Sequence, residues 1–234
     1  FLGAIAVEDE DAAMERGACG DFFDMPQSKT FLWHYKTTSF NIAIHRSLLR
    51  LARILTPDDP LYFPVLYANQ VFAETYLKQM ASKTPYRQLA DNLEPDSKGR
   101  FKIYYFAGKK AERAAAGDHG LNCDHFALGW VALEWAKQTG DLSLQQLAED
   151  QVHWALGKNP LNVSMMMGAG EKNPVIVADF WNKNLPGTII NGPASPDGQS
   201  LEYKAEHFGH SEEWLPHNGD YLRLLGSLES DALL

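Results

Sequence analysis

The sequence predicts an all-α protein built from helical hairpins, with the architecture of an α/α toroid or solenoid. Three observations lead to this fold class. Apolar residues recur at helical spacing in five long segments. Short polar turns join these segments into pairs, which is typical of antiparallel helix hairpins. The only strand-like run that we identify is FKIYYF at 101–106, which is too little for an α/β fold.

The first predicted hairpin consists of helices over 39–55 and 64–80. Ser39 is expected to cap the first helix, and the polar segment TPDDP ends it. Pro64 suits the first turn of the second helix, because the N–H that it lacks has no intrahelical partner there. The apolar positions are Phe40, Ala43, Ile44, Leu48, Leu51, Ala52 and Leu55 in the first helix, and Val65, Ala68, Phe72 and Tyr76 in the second.

The second predicted hairpin joins a helix over 123–139 to one that begins at Ser143. The first of these is apolar over so much of its circumference that we expect it to be buried on more than one side. Ser143 with Gln146 matches a capping box, and Gly157 stands where a left-handed cap is usual. The inner stripe of the second helix is Leu144, Leu147, Ala148, Val152, Ala155 and Leu156.

The last predicted helix follows Pro216, with Asn218 as its cap. Its expected inner residues are Tyr221, Leu222, Leu225 and Leu228. Five helices are too few to close a ring of twelve. The apolar start at Phe1, without an initiator Met or a basic segment, is not an intact signal peptide. We therefore expect residues 1–234 to be part of a longer polypeptide.

Composition excludes several classes of function. The net charge of −9 argues against nucleic acid or an anionic membrane as the main partner, because both are polyanions. No apolar run approaches the roughly 20 residues of a transmembrane helix. Cys19 and Cys123 are too few for a disulfide scaffold or a four-thiolate zinc site, and form either one disulfide or two buried thiols.

Two spaced motifs resemble glycoside hydrolase family 9. The first combines HWALGKNP at 153–160 with Ser164, Gly168, Gly170 and Asn173-Pro174, and the second is EEWLPHNG at 212–219. A weaker match covers 19–55. The resemblance spans about 19–228 and aligns the chain with the C-terminal half of the family's catalytic domain. It implies a six-hairpin (α/α)6 barrel, of which residues 1–234 are the C-terminal portion and from which the N-terminal portion is absent.

The resemblance also implies an activity and a setting. Members hydrolyse β-glycosidic bonds, so we expect a cellulase-like or exo-acting β-glycosidase that is secreted or periplasmic and uses an inverting two-carboxylate mechanism. The expected partners are a carbohydrate substrate and the N-terminal part of the same polypeptide. No cofactor is expected, although a structural calcium ion in loop 191–202, held by Asn191, Asp197 and Glu202, is an alternative.

Glu212 and Glu213 are the candidates for the general acid. The family's acid precedes an Asn by six positions ahead of the final helix, and Glu212 and Asn218 have this separation. Glu213 is adjacent and stays an alternative. Sugar cleavage needs a carboxylic acid to protonate the leaving oxygen, and an apolar neighbour such as Trp214 favours the protonated form of an acid. A purely structural interpretation is that both carboxylates favour the positive end of the last helix.

The second carboxylate has no counterpart in the chain. The family's base lies in an Asp-Ala-Gly-Asp segment, which the sequence lacks, and we interpret Asp21 and Asp24 as loop residues. The base is therefore expected outside residues 1–234. The His-His-Arg run that holds the sugar in many family cellulases is also missing. Its place reads VIVADFWNKNLPG, where Asp179, Trp181 and Asn182 are candidate replacements.

Sugar binding is expected from aromatic and polar residues near these motifs, because aromatic faces stack on pyranose rings. The candidates are Trp33, Trp181, Trp214, His217 and Asn218. Two other functions compete. A polysaccharide lyase on a toroid would use Tyr203 and His207 as base and acid. A non-catalytic helical repeat that binds carbohydrate or protein is less favoured, since such solenoids keep their loops short and residues 157–213 are rich in loop signals. Neighbouring acid–His pairs, including Glu206 with His207 and His210, give only a weak zinc signal.

Overall fold

The computed structural model describes residues 39–82, 85–89, 120, 122–174, 185–194 and 201–232. Over these residues the chain is helical with connecting loops, and β-pairing there is limited to two isolated bridges, Met166 with Ile189 and Ala194 with Glu202. The all-α prediction is confirmed for this part of the chain. The strand-like FKIYYF segment lies outside the described residues.

Seven α-helices are described. In chain order they are α1 (Ser39–Ile54), α2 (Tyr62–Val71), α3 (Lys78–Ser82), α4 (Asn122–Thr139), α5 (Leu142–Ala155), α6 (Phe208–Ser211) and α7 (Leu215–Ala232). A π-helical turn, Phe72–Leu77, joins α2 to α3. The predicted second helix is thus one continuous helical run that begins at Tyr62, two residues before Pro64. Measured by length and apolar character, none of these seven helices qualifies as a bilayer-crossing segment.

Helix α4 forms the centre of the described fold. Its residues are buried without interruption from Asn122 to Ala136, and it packs against α1, α5 and α7. Large apolar side chains such as Phe126 and Leu133 lie in the same core cluster as Leu147 of α5 and Leu224 of α7. The expectation that this helix is buried on more than one side is confirmed. Removal of this much apolar surface from water is the main force that holds the hairpins together.

The cap of α5 differs from the prediction. The N-cap is Asp141, which has extended backbone and accepts hydrogen bonds from the backbone N–H of Ser143 at 2.9 Å and from its hydroxyl at 2.6 Å. The prediction of a capping box at Ser143 is therefore wrong. Lys78 of α3 also binds the Asp141 carboxylate, at 2.6 Å. These bonds, from Lys78 first and then Ser143, lower the pKa of Asp141 to about 2.

Two expected core residues are on the surface. Leu156 follows the last turn of α5 and is 45% exposed, and Leu222 of α7 is 65% exposed. In α7 the buried apolar positions are Tyr221 and Leu224. The core face of α7 is therefore rotated from the predicted stripe, because leucines at 222, 224 and 225 allow more than one helical face to be apolar. The expected cap residue Asn218 lies within α7, which begins at Leu215.

The loop after α5 is held by its own polar side chains. Gly157 has a positive φ of 120°, as predicted for the residue that ends this helix. The amide of Asn159 donates to the carbonyls of Trp154 and Val163, both at 2.8 Å, and accepts from the N–H of Leu161. The loop also carries Met165 and Met167, which are both buried in the core. Both side chains therefore act as packing residues.

Candidate active site

The site is built where the segment between α6 and α7 meets residues 185–194. Glu212 ends α6 with an extended backbone, φ −60° and ψ 141°. Side chains of neighbouring residues in an extended segment point in opposite directions. The carboxyl groups of Glu212 and Glu213 accordingly bind different residues, Asn191 for the first and Leu185 with Thr188 for the second.

The backbone of residues 190–192 lies between the first turn of α4 and the segment that carries Glu212. The N–H of Asn191 donates to the Glu212 carbonyl at 2.8 Å, and the N–H of Gly192 donates to the His210 carbonyl at 2.9 Å. On the other side, the N–H of Asn122 donates to the Asn191 carbonyl at 3.1 Å. The three segments therefore form one hydrogen-bonded unit around Asn191.

The Glu212 carboxyl group is half-buried and is bound by an amide. Asn191 Nδ2 donates to Glu212 Oε2 at 3.3 Å. The same NH2 group donates to the Phe208 carbonyl at 3.2 Å, so both of its hydrogens are used. Asn191 itself is fully buried. The amide can hold Glu212 in one orientation because it is itself held on several sides.

His217 fixes the far side of that amide. Its Nδ1 accepts the backbone N–H of Cys123 at 2.9 Å, and its Nε2 lies 2.5 Å from Asn191 Oδ1. Burial, followed by the charge of His125, lowers the pKa of His217 to about 3, so the ring is neutral at physiological pH. The side chain is 0% exposed. This placement differs from the predicted sugar contact, because the ring is enclosed and both nitrogens bind protein groups.

Glu213 has a different role in the structure. Its Oε1 accepts the N–H of Leu185 at 3.0 Å and the hydroxyl of Thr188 at 2.5 Å. The carboxyl group therefore ties the turn at 185–188 to the segment before α7. Among the described contacts of the two candidate acids, those of the Glu213 carboxyl group fix this turn.

Trp214 and Asn218 lie beside these residues. The indole of Trp214 packs against the buried thiol of Cys123 and stacks on the His217 ring, with centroids 5.8 Å apart and planes at 21°. Asn218 accepts the N–H of Ile189 at 3.2 Å and donates to the Trp214 carbonyl at 3.3 Å. Both residues are half-buried, and their described contacts stabilise the frame of the site.

The residues of the competing predictions are also placed. His207 caps α6, because its Nδ1 accepts the N–H of Gly209 at 3.2 Å. Burial, followed by the charge of Glu206, raises the pKa of the Tyr203 hydroxyl. A tyrosine that loses its proton less readily is a poor general base, so the lyase assignment gains no support from this geometry.

The metal predictions gain no support from the described residues. Among them, no group of three or more His, Cys, Asp or Glu side chains has the spacing to hold a metal ion. Of the proposed calcium ligands, Asn191 has its side-chain oxygen 2.5 Å from His217 Nε2, so a protein group already binds it. Asp197 lies outside the described residues.

Several predicted site residues lie outside the described ranges. They are Cys19, Asp21, Asp24, Trp33, Asp179, Trp181, Asn182 and Asp197. The sequence prediction missed Asn191 as a partner of Glu212. No spacing signal links these two residues, since the contact depends on how residues 190–192 fold against the end of α6.

The comparisons with known proteins identify the family and the fold. The sequence model described as Glycosyl hydrolase family 9 matches residues 12–218. A comparison with curated protein sequences found no match.

Solved structures with a similar fold include the cellulase Cel9M of C. cellulolyticum in complex with cellobiose, at 20% identity and a TM-score of 0.51. A second structure of Cel9M has 21% sequence identity and a TM-score of 0.52. The catalytic domain of Clostridium thermocellum CelT has 14% sequence identity and a TM-score of 0.53. The matches cover 80%, 80% and 90% of this chain but only 39%, 40% and 47% of those chains. These structures are (α/α)6 barrels, so the predicted toroid fold is confirmed.

Proposed function

The chain belongs to glycosyl hydrolase family 9, and from this premise we propose that the protein hydrolyses β-glycosidic bonds in an oligo- or polysaccharide, with Glu212 as the general acid. The observation that carries the assignment is the hydrogen bond from the buried Asn191 amide to Glu212 Oε2. It gives one carboxyl group of the pair a fixed orientation. Glu213, by contrast, ties a turn through Leu185 and Thr188.

In the proposed reaction the carboxylic acid of Glu212 gives its proton to the glycosidic oxygen as the bond from that oxygen to the anomeric carbon breaks. A second carboxylate removes a proton from water, whose oxygen bonds to the anomeric carbon from the opposite face, so the configuration is inverted. In inverting enzymes the two carboxyl groups lie about 6.5–9.5 Å apart. After release of the products, Glu212 takes up a proton from solvent and the second carboxylate releases the one it removed from water, so both return to their starting states.

We place the base outside residues 1–234. Two observations support this: the sequence has no Asp-Ala-Gly-Asp segment, and the chain spans 39–47% of the solved chains that it matches. Residues 1–234 would then be the C-terminal portion of one catalytic domain. The N-terminal portion of the same polypeptide would supply the base and complete the barrel.

The proposed substrate is a β-linked glucan or a related oligosaccharide. The complex of Cel9M with cellobiose supports a carbohydrate ligand on this fold. The absence of a His-His-Arg run supports a sugar subsite that differs from that of a typical endocellulase, with an exo-acting enzyme as the alternative. Trp33, Trp181 and Trp214 stay the proposed stacking residues, and secretion or export to the periplasm stays the proposed location.

Single substitutions in the complete protein test the assignment. Glu212→Gln removes the proton and keeps the shape, so we expect kcat on cello-oligosaccharides to fall by about 10²–10⁴ while binding, measured by calorimetry, is kept. Glu229→Gln is the control, because this carboxylate is exposed near the end of α7. It should leave kcat unchanged.

Glu213→Gln separates the two candidates. We expect it to destabilise the 185–188 turn and to retain more activity than Glu212→Gln. New reducing ends identify hydrolysis, whereas unsaturated sugar ends identify the lyase reaction. Full activity in Glu212→Gln, or unsaturated products, would remove the proposed function.

A further inference from the structure

A chain of hydrogen bonds runs from the backbone N–H of Cys123 through His217 and Asn191 to Glu212. The backbone N–H of Cys123 can only donate, so His217 Nδ1, 2.9 Å away, accepts and carries no hydrogen. The ring is neutral because burial lowers its pKa to about 3. Its one proton must therefore be on Nε2.

This tautomer determines the orientation of the next group. Nε2–H donates to Asn191 Oδ1, so the NH2 of the amide faces the opposite way. Both hydrogens of that NH2 then meet acceptors, the carbonyl of Phe208 and Oε2 of Glu212. The backbone N–H of Asn191 also binds the Glu212 carbonyl. Asn191 thus holds Glu212 at its backbone and at its side chain.

We propose that Asn191 and His217 are positioning residues for Glu212, an inference that rests on the proposed function. Oε2 can accept the amide N–H when the carboxyl group is ionised, and also when it is protonated on Oε1. The amide therefore donates to Oε2 in both protonation states. It therefore assigns the transferable proton to Oε1. His217 acts through Asn191, because a buried ring of fixed tautomer prevents the amide from turning over.

Other titratable groups belong to the segments that carry these bonds. They are His207, which caps α6, His210 of α6, Glu213 beside Glu212, and Cys123, Asp124 and His125 in the first turn of α4. All of them are kept in the variants below. A change in pH dependence between a variant and the parent protein therefore reports on the substituted residue.

Asn191→Asp is the most informative variant. The new carboxylate still offers an oxygen to His217 Nε2–H, but it places negative charge where the NH2 faced Glu212, which favours the protonated acid. We expect the alkaline limb of the kcat–pH profile to move up by about one unit or more and the maximal kcat to fall about tenfold. Asn159→Ala is the control, because it removes another buried, fully bonded Asn whose described partners all lie within residues 154–163, away from Glu212. It should leave the limb in place.

The outcomes separate the two proposals. If Glu212→Gln is inactive but Asn191→Asp leaves the alkaline limb of the kcat–pH profile unshifted, only the positioning role is overturned. If Glu212→Gln keeps full activity, both proposals are overturned. If Asn191→Asp does not fold, His217→Gln is compared with His217→Leu. The Gln amide offers an acceptor to Cys123 and a donor to Asn191, and Leu offers neither. A higher kcat at equal KM in the Gln variant supports the proposal, and equal kcat values overturn it.

Discussion

Gly192 shows how a single residue supports the candidate site. Its φ is +95°, a region that residues with a side chain rarely adopt. A Cβ here would also lie 2.8 Å from Nδ2 of Asn122, the side chain that donates to the Ile190 carbonyl. Gly192 therefore lets the backbone next to Asn191 approach α4 closely.

Substitution of Gly192 tests this contact. Gly140→Ala is a matched control, because Gly140 has a φ of +77° and nothing within 4 Å of an added Cβ. We expect Gly140→Ala to cost about 1–2 kcal/mol from backbone strain alone. Gly192→Ala should cost about 1–3 kcal/mol more, since the Asn122 amide must move. Equal losses in urea unfolding would show that the contact with Asn122 does not matter.

His45 gives a prediction on pH dependence. The ring is buried in α1 and stacks on Phe72, with centroids 3.6 Å apart and planes at 8°. Burial lowers its pKa to about 3 from 6.5. Between these values the unfolded chain binds a proton that the folded chain does not, so stability falls as the pH drops from 6.5 towards 3. The slope from this one group is up to about 1.4 kcal/mol per pH unit.

His45→Phe keeps the ring stacking and removes the titration. Its free energy of unfolding should therefore fall less steeply than that of the parent protein between pH 6.5 and 4. His153→Gln is the control, because this imidazole is exposed on α5 and should leave the slope unchanged. Parallel curves for the parent protein and His45→Phe would contradict the burial of a neutral His45.

Among the helices, α5 shows how tertiary contacts choose a cap. Ser143 and Asp141 are both good capping residues by type, and sequence alone favours Ser143 because Gln146 completes a capping box. The structure uses Asp141, whose carboxylate also binds Lys78 from α3. The Lys78 contact joins residues far apart in sequence, so no local sequence pattern predicts it.

Substitution distinguishes the two caps. At pH 7, Asp141→Ala should cost about 1 kcal/mol, and Ser143→Ala less, since Ser143 still donates its backbone N–H. The Asp141 pKa is lowered to about 2 from 3.8, so its contribution is complete above pH 3.8 and is lost as the pH falls through about 2. The cost of Asp141→Ala should shrink over that interval. A larger loss of stability in Ser143→Ala than in Asp141→Ala would instead support the capping box at Ser143.

The sequence predicts where the helices begin and end better than it predicts which of their faces is buried. The bounds of α1 and α4 agree with prediction to within one residue, because strong apolar periodicity and clear end signals coincide there. The face of α7 was wrong at Leu222, since neighbouring leucines leave its rotation undetermined. Asn191 was missed for a related reason, as its role depends on three segments that meet only in the folded chain.

For the whole molecule, an ion pair connects the two ends of the described fold. Arg46 of α1 binds Asp220 of α7 at 2.6 Å, and Arg223 binds the same carboxylate oxygen at 2.8 Å. The Arg46 and Asp220 side chains are only 15% and 5% exposed. This pair closes α1 against α7 across 174 positions of sequence.

Breaking this pair should be costly. Asp220→Ala leaves the Arg46 charge buried without its partner, so we expect a loss of about 3–5 kcal/mol. Glu74→Ala, which breaks the exposed pair with Lys78 within one helical run, should change stability by less than about 1 kcal/mol. Thermal and urea unfolding measure both. Similar small effects would mean that the Arg46–Asp220 pair contributes no more than a surface contact.

The most direct test of the central claim, that Glu212 is the proton donor, is the dependence of Glu212→Gln on the leaving group. An oligosaccharide leaves as a poor alkoxide and needs a proton, whereas an aryl β-glycoside with a dinitrophenolate leaving group does not. Glu212→Gln should therefore lose about 10²–10⁴ in kcat/KM on the oligosaccharide and less than about tenfold on the aryl glycoside. Equal losses on both substrates, or this pattern in Glu213→Gln instead, would contradict the assignment.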